Sequence, residues 1–230
     1  MANQRLESAL GLKFRDPKLL LNALRHRSFL NEQGGQASDS YERLEYLGDS
    51  VLGLAVAAEL FQRFSTLGEG ELTKCRAALV CRESLAGVAR RLGLGEHLLL
   101  GKGEEATGGR QRDSILAAAF EAVVAAVYLD QGYQHASQFI LRTMSKELED
   151  LVHQGGPPEN PKSRLQEYVQ GLGRATPKYH MVSSRGPDHD PVFTVEVLVG
   201  EEAIGSGQGS NLADAERFAA EEALARLLSD

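Results

Sequence analysis

The spacing of hydrophobic and polar positions changes near residue 153. Up to about residue 150, apolar residues recur every three or four positions, which is the period of an amphipathic helix. One helix is predicted to begin at Asp16-Pro17, where the aspartate caps the N-terminus and the proline takes the first position. The pattern predicts further helices at 41–64, 71–80, 84–92, 113–129 and 134–152. Ser84 is the expected N-cap of the run that it begins.

Polar, glycine-rich stretches separate these helical runs. NEQGGQASDS at 31–40 and GKGEEATGGRQ at 101–111 have no apolar period and are predicted to be breaks. The second has glycines and a lysine but lacks the Gly-Lys-Ser/Thr ending of a phosphate-binding loop. We therefore interpret it as a mobile connector.

The stretch HQGGPPENP at 153–161, with two glycines and three prolines, reads as a linker. After it come a short amphipathic helix in PKSRLQEYVQGLG, a strand region, and a last helix in ADAERFAAEEALARLL. Residues 192–199 alternate as in a half-buried strand. The predicted fold is an all-α N-terminal domain at 1–152, a flexible linker at 153–159, and an α+β domain at 160–230 with the order α-β-β-β-α.

Acidic side chains interrupt the apolar helix YERLEYLGDSVLGLAVAAELF. Glu42, Glu45 and Asp49 follow one another at spacings of three and four residues, along one stripe of the helix. Glu121 stands alone among the apolar residues of SILAAAFEAVVAAVYLD. If the two helices pack face to face, Glu45, Asp49 and Glu121 converge. An all-oxygen, anionic pocket suits Mg²⁺ or Mn²⁺ better than zinc.

A structural network is the alternative for these acids. Arg43, Arg76 or Arg82 could neutralise them by ion pairing, and spacing alone does not choose between the arginines and a metal ion.

Composition adds three expectations. The net charge of −7, from 25 basic and 32 acidic residues, argues weakly against nucleic acid as partner when taken alone. No apolar run is long enough to span a membrane, and MANQRLESALGLKF lacks a signal-peptide core, so we expect a soluble, cytoplasmic protein. Cys75 and Cys81 are too few for a disulfide framework or a structural zinc site, and we expect two buried thiols.

Several stretches together resemble the ribonuclease III family, the double-stranded-RNA endonucleases. ERLEYLGDSVL is similar to the family signature, and LGLKFRDPKLLLNALRHRSFLNE to its N-terminal helices. GEGELTKCRAALV resembles the next helix, and GKGEEATGGRQRDSILAAAFEAVVAAVYLD the following loop and second catalytic helix. NPKSRLQEYVQ through AERFAAEEAL resembles the double-stranded-RNA-binding domain. The resemblance covers nearly the whole chain, in the family's order.

The resemblance implies a homodimeric endoribonuclease that cuts double-stranded RNA with metal-activated water. It implies Mg²⁺, replaceable by Mn²⁺, 5′-phosphate and 3′-hydroxyl products, and a part in rRNA and mRNA maturation. By resemblance, Glu45, Asp49 and Glu121 bind metal, and Asp49 and Glu121 are also catalytic. Glu42 and Glu69 match supporting acids near the RNA strand. The implied RNA contacts in the second domain are Gln166, His189, Gly209, Ser210 and Asn211.

The chain departs from the family pattern in two places. Ala118 stands where the family has an aspartate, three residues before Glu121, and Asp113 points to another face of the helix. We expect weaker metal binding and reduced activity; a double-stranded-RNA-binding protein with little or no cleavage is therefore the alternative function. Leu212 and Ala213 stand where the family has two basic residues, so we expect weaker, less salt-sensitive RNA binding.

Two further expectations concern the apolar part of the signature helix. A third possible function is a purely structural helical protein. Such a protein would have no reason to keep three buried acids, which argues against it. Val51, Leu52 and Val56 follow the acidic stripe on a helix with more apolar surface than one core needs. They therefore predict a two-fold homodimer interface.

Overall fold

The computed structural model describes residues 2–36, 39–157, 160–186 and 191–228. The chain divides into two units, Met1–Pro158 and Glu159–Asp230. Apart from short 3₁₀ turns such as Gly109–Gln111, the regular elements described in the first unit are α-helices. They are α1 Ala2–Leu10, α2 Pro17–Ala23, α3 Arg27–Gln33, α4 Glu42–Arg63, α5 Glu69–Leu79, α6 Arg82–Arg91, α7 Leu94–His97, α8 Lys102–Ala106, α9 Asp113–Gln131, α10 Tyr133–Thr143 and α11 Ser145–His153.

Helix α9 lies at the centre of the first unit. Its residues from Ile115 to Val127 are buried, with the sole exception of Glu121, which is half-buried. Many of these residues are alanine or valine, whose small side chains let neighbouring helices approach closely. Helix α4 is one of these neighbours and contributes Val51, Leu52 and Val56 to the same core. Within the described residues, no helix is both long and apolar enough to cross a membrane.

The start of α2 is as predicted: Asp16 accepts a hydrogen bond from the Lys18 amide at 3.0 Å, and Pro17 takes the first helical position.

The prediction that Ser84 is the N-cap of its helix is wrong. Helix α6 begins at Arg82 with Cys81 as its N-cap, which places Ser84 inside the helix. The Ser84 hydroxyl is buried and has no hydrogen-bond partner.

The predicted helix 134–152 is two helices that meet at Met144. The Thr143 hydroxyl donates to the carbonyl oxygens of Phe139 and Ile140, at 2.9 and 3.1 Å. A side chain that competes in this way for helical carbonyls weakens the helix at that point. Met144 is fully buried at the break, so the chain changes direction there without exposing the core.

The break predicted at 101–111 is not an unstructured connector. It contains α8 and the 3₁₀ segment, and Arg110 donates from Nη1 to the carbonyl oxygens of Gly95 and Leu98, at 3.0 and 2.8 Å. These bonds secure the backbone that leads into α9. Periodicity did not predict them, because the segment has no apolar face.

The second unit has the predicted order α-β-β-β-α. Its elements are α12 Pro161–Gly171, β1 Lys178–Arg185, β2 Val192–Val199, β3 Glu202–Gly209 and α13 Leu212–Leu227. The strands form one antiparallel sheet in the order β1-β2-β3. Val195, Val197 and Val199 are buried on one face, as their alternation predicts. The predicted linker 153–159 starts on the last residue of α11, His153, and its residues 158 and 159 lie outside the described part of the chain. Its flexibility stays a prediction.

Glycines let β3 lie directly against α13. A Cβ added to Gly207 would meet the Ala215 carbonyl oxygen and the Ala219 amide nitrogen, both at 2.3 Å. A Cβ on Gly205 would lie 2.6 Å from the Ala219 carbonyl oxygen. Neither position has room for a larger residue, so the alternating glycines near the end of β3 are explained by packing.

Candidate active site

The site begins with a backbone contact between α4 and α9. A Cβ added to Gly48 would lie 1.8 Å from the carbonyl oxygen of Glu121, so only glycine fits between the two helices. Asp49 follows this glycine directly, and Glu45 lies about one turn before Asp49 on the same stripe. The contact at Gly48 therefore brings the acidic stripe of α4 to the one acid in the buried part of α9.

The three carboxyl groups act on one another electrostatically. Burial is the largest cause that raises the pKa of Glu121 to about 7, and the negative charges of Asp49 and Glu45 contribute to the same shift. The pKa of Glu45 is also raised, mainly by burial and to a smaller degree by the negative charges of Glu42 and Asp49. In both cases the neighbouring charges that raise the pKa are negative. Among the described residues, the site therefore collects negative charge that no ion pair compensates at Glu45 or Glu121.

The arginine network proposed as an alternative lacks its ion pairs. Within the described ranges, none of Arg43, Arg76 and Arg82 forms an ion pair with Glu45, Asp49 or Glu121. Glu42 does have a partner, since Arg27 Nη1 lies 3.6 Å from its carboxyl oxygen. Both side chains of that pair are well exposed, so it neutralises the outer end of the stripe and leaves the inner acids unpaired.

The donor set of this site is carboxylate oxygen, which hard divalent cations such as Mg²⁺ prefer. A cation would also relieve the repulsion that raises the pKa of Glu121. In the described part of the chain, however, no group of three or more His, Cys, Asp or Glu side chains is already arranged to hold a metal ion. The residues fit a metal in chemistry and charge, and the convergence of their oxygens on one ion stays a prediction.

Ala118 is buried on α9, three residues before Glu121, and adds no oxygen to the site. Asp113 cannot take its place, because its carboxylate pairs with Arg90 on α6.

Glu69 is exposed at the start of α5 and lines an apolar cavity with Phe61. It is not one of the charges that shift the pKa of Glu45 or Glu121.

The residues expected to contact RNA lie on two parts of the second unit. Gln166 is exposed on α12, while Ser210 and Asn211 are exposed at the junction between β3 and α13. The Asn211 side chain accepts from the Asp214 amide at 2.9 Å and so caps α13. Gly209 also has a packing reason, since a Cβ there would meet the Ala215 amide nitrogen at 2.6 Å. His189 lies outside the described residues.

The first two residues of α13 are Leu212 and Ala213, and both are exposed. Their side chains therefore point into solvent at the end of the helix where anions are favoured. The acidic Asp214 follows them in the same turn. This helix end carries an acid and neither of the two basic residues that the resemblance implies, and weaker phosphate contacts stay a prediction.

The side chains expected at a dimer interface are not available for one. Val51, Leu52 and Val56 are 7%, 0% and 0% exposed, because they pack in the core of their own chain. The large apolar side chains exposed on α4 are Tyr46, Leu54 and Phe61, at 80%, 58% and 73%. Their spacings of eight and seven residues place them on one side of the helix. We call these three residues the α4 apolar stripe.

Sequence reasoning also missed Gly48. The available signal was a glycine inside an apolar helix, next to an acid, since glycine costs helix stability unless packing requires it.

Comparisons with known proteins match both units. A family model described as Ribonuclease-III-like matches residues 16–148, and one described as Double-stranded RNA binding motif matches residues 161–227. Ribonuclease 3 of Roseiflexus sp. is 47% identical over 221 residues, 95% of this chain and 93% of that protein. Ribonuclease 3 of Symbiobacterium thermophilum is 48% identical over 216 residues, which are 94% of this chain and 90% of that protein. Among solved structures, the nuclease domain of ribonuclease III from Campylobacter jejuni is 42% identical with a TM-score of 0.58, over 62% of this chain and 96% of that one.

Proposed function

Because this chain belongs to the ribonuclease III family and is an endoribonuclease, we propose that it hydrolyses double-stranded RNA at the Glu45–Asp49–Glu121 site with Mg²⁺ as cofactor. The double-stranded-RNA-binding motif at 161–227 supplies the substrate class. It also overrides the weak indication against nucleic acid that the net charge of −7 gave. A net charge describes the whole chain, whereas RNA is held by a few local contacts.

The observation that carries this proposal is the uncompensated charge at the contact between α4 and α9. Glycine at position 48 permits the close approach of the two helices, and burial together with the charges of Asp49 and Glu45 raises the pKa of Glu121 to about 7. A protein that used these residues only for stability would gain by replacing an acid with an apolar side chain. We infer that the acids are kept for a cation.

Each acid has a distinct task in this proposal. Held by Glu45, Asp49 and Glu121, Mg²⁺ would supply Lewis-acid polarisation of the phosphodiester and a bound water of lowered pKa. Asp49 is exposed, so its carboxylate can reach a ligand from the solvent side, while Glu45 and Glu121 are half-buried and fixed by their helices. Glu121 has a pKa of about 7 in the metal-free protein, so a bound cation, which favours the ionised carboxylate, would displace a proton from it near neutral pH.

A second function is favoured by one observation, the buried Ala118 at a position where the family pattern has an aspartate. A site that lacks one carboxylate binds metal more weakly. The chain would then hold double-stranded RNA with little or no cleavage. Cleavage and binding of the same duplex therefore have to be measured together.

The test is to incubate a long duplex RNA with the protein in Mg²⁺ and in Mn²⁺ and to identify the product ends. We expect 5′-phosphate and 3′-hydroxyl ends, and we expect Asp49→Asn to abolish cleavage without changing duplex binding. Glu59→Gln is the matched control, because it neutralises an acid of the same helix that pairs with Arg63 away from the site. Binding without cleavage in both metals would establish the second function instead.

We further propose that the active form is a homodimer joined through the α4 apolar stripe. An apolar cavity of about 390 Å³ lies at the C-terminal end of this stripe, lined by residues that include Leu60, Phe61 and Leu72. A two-fold axis across α4 makes the paired helices antiparallel. The exposed Tyr46 near one end of α4 would then face the cavity at the other end in the second copy.

Three finer assignments rest on the family resemblance. We propose that the protein takes part in rRNA and mRNA maturation and that it does so in the cytoplasm. We also propose domain boundaries at 1–152 and 160–230, with 153–159 as the linker between them.

A further inference from the structure

Three chain segments meet just before α4. The Tyr41 amide donates to the Arg25 carbonyl oxygen at 2.9 Å. The His26 amide donates to the Leu99 carbonyl oxygen at 3.0 Å, and the Leu99 amide donates to the Leu24 carbonyl oxygen at 2.9 Å. The short segment 24–26 is therefore bonded on one side to the residue before α4 and on the other side to the residues before α8.

The His26 imidazole and the Ser28 hydroxyl extend this junction through side chains. His26 Nδ1 accepts from the Ser28 amide at 3.2 Å and lies 2.7 Å from the Ser28 hydroxyl oxygen. The same hydroxyl oxygen accepts from the Gly101 amide at 2.9 Å. An amide can only donate, so the hydroxyl proton is free to point at Nδ1. The Gly101 N–H therefore donates to the Ser28 hydroxyl, and the Ser28 hydroxyl donates to His26 Nδ1.

This order requires a neutral His26 with its proton on Nε2. Burial is the largest influence on its pKa and lowers it, which favours the neutral ring. The charges that face the ring are Glu104 and Glu42, which raise the pKa, and Arg27 and Arg112, which lower it. They come from α8, from α4, from α3 and from the residue that precedes α9.

On its other side, the His26 ring contacts the start of α4. Its centroid lies 5.7 Å from that of the Tyr41 ring, which is almost fully buried. The Tyr41 carbonyl oxygen accepts from the Glu45 amide at 2.8 Å and so begins the helix that carries the acidic stripe. The position of Tyr41 therefore sets the position of Glu45.

Gly101 is connected through α8 to α9, the helix that carries Glu121. It is the N-cap of α8, where Glu104 forms an ion pair with Arg112, the N-cap of α9. A Cβ on Gly101 would meet the Ser28 carbonyl oxygen at 2.6 Å, so this segment is tightly packed against α3. Ser28 and His26 thus connect the start of α4 with the segment that leads to α9.

We propose that His26 and Ser28 are positioning residues of the carboxylate site, which hold the starts of α4 and α9 in a fixed relation through Tyr41 and Gly101. Neither residue touches the metal or the RNA in this account. The inference deepens the proposed function and rests on it, because positioning matters only if Glu45, Asp49 and Glu121 bind an ion together.

The test compares Ser28→Ala with Ser28→Thr in the full-length protein. Alanine removes the hydroxyl between Gly101 and His26, whereas threonine keeps it. The probe is Mn²⁺ alone, with binding followed by electron paramagnetic resonance at a temperature where each variant is folded. We expect Ser28→Ala to weaken Mn²⁺ binding on the order of tenfold, as for other losses of a group that orients ligands. Ser28→Thr should bind Mn²⁺ like the unmodified protein, and metal-free duplex RNA binding should be the same in all three.

Amide hydrogen exchange provides the second readout. In Ser28→Ala, exchange should become faster at Gly101 and also at Glu45, because the connection runs to the start of α4. Faster exchange confined to Gly101, or Mn²⁺ binding that is unchanged in Ser28→Ala, would overturn the inference. Equal losses in the alanine and threonine variants would do so as well. If the unmodified protein binds no Mn²⁺, the proposed metal site itself is refuted, and this inference falls with it.

Discussion

Gly48 and Glu121 touch through their backbones: a Cβ on Gly48 would lie 1.8 Å from the Glu121 carbonyl oxygen. This contact determines how near the acidic stripe of α4 comes to the acid of α9. Fold and site therefore depend on the same residue, because separating the two helices would also separate their carboxylates.

The first prediction concerns this contact. Gly48→Ala should destabilise the protein by about 3 kcal/mol, since the added methyl group has to push two packed helices apart. Gly53→Ala on the same helix is the control, because nothing lies within 4 Å of a Cβ at that position. It should stabilise by about 0.5–1 kcal/mol through better helix propensity. Urea unfolding of both variants measures the difference, and equal effects would contradict the contact.

The second prediction concerns the pH dependence of stability in the metal-free protein. The pKa of Glu121 is about 7 in the folded protein, against the ordinary value of 4.5 for a glutamate. The folded state therefore holds more protons between these values, and stability falls as the pH rises from about 4.5 to about 7. Glu121→Gln removes this loss. Allowing for solvent screening at a half-buried group, the variant should melt about 2–4 °C higher at pH 8.

Glu121→Gln should show little gain at pH 4, where the carboxyl is mostly protonated in both the folded and the unfolded state. Saturating Mn²⁺ at pH 8 should reverse the order of the melting temperatures, because only the unmodified protein keeps the full set of carboxylates. A variant that melts lower than the unmodified protein at pH 8 without metal would refute the repulsion described at this site.

The third prediction concerns assembly. Leu54→Glu places a charge in the α4 apolar stripe and should convert a dimer to a monomer, as measured by sedimentation at micromolar concentration. Gln62→Glu is the control, since residue 62 is exposed on the same helix and lies outside the stripe. Should the unmodified protein sediment as a monomer, or both variants remain dimeric, the stripe is not the interface.

The fourth prediction concerns the RNA-binding unit. Replacing Leu212 and Ala213 together by lysine adds two cations at the N-terminal end of α13, where both positions are exposed. Duplex RNA binding should tighten, and the slope of log K against log salt should steepen by about one for each new phosphate contact. Leu228→Lys, at the opposite end of α13, adds charge away from this surface and should leave the slope unchanged.

The sequence predicted those parts of the fold that have a strong period. The acidic stripe, the long apolar helix around Glu121 and the alternation in β2 were recognised because each repeats over several turns or residues. Ser84 and the helix break at Met144 were not, since both depend on hydrogen bonds and packing that have no period. The end of α10 depends on a single threonine hydroxyl bonded to two carbonyl oxygens.

The sequence could select candidate acids for the site but not the residues that support them. Glu45, Asp49 and Glu121 were selected by spacing and by resemblance; they influence one another's pKa, and their role as a metal site stays a prediction. The dimer residues were chosen wrongly, because a helix pattern gives a face but not which face the core uses. His26, Ser28 and Gly101 come from separate stretches of sequence, and only the folded chain brings them together.

The most direct test of the central claim is a Mg²⁺ titration of cleavage, on one duplex substrate, for this protein and for Ala118→Asp. The added carboxylate is one turn before Glu121, so it should lower the Mg²⁺ midpoint and raise the cleavage rate, each by on the order of tenfold. Mn²⁺ should recover part of the activity of the unmodified protein, and duplex binding should stay the same. If both proteins cleave equally fast with the same Mg²⁺ midpoint, position 118 does not face the metal and the carboxylate site described above is wrong.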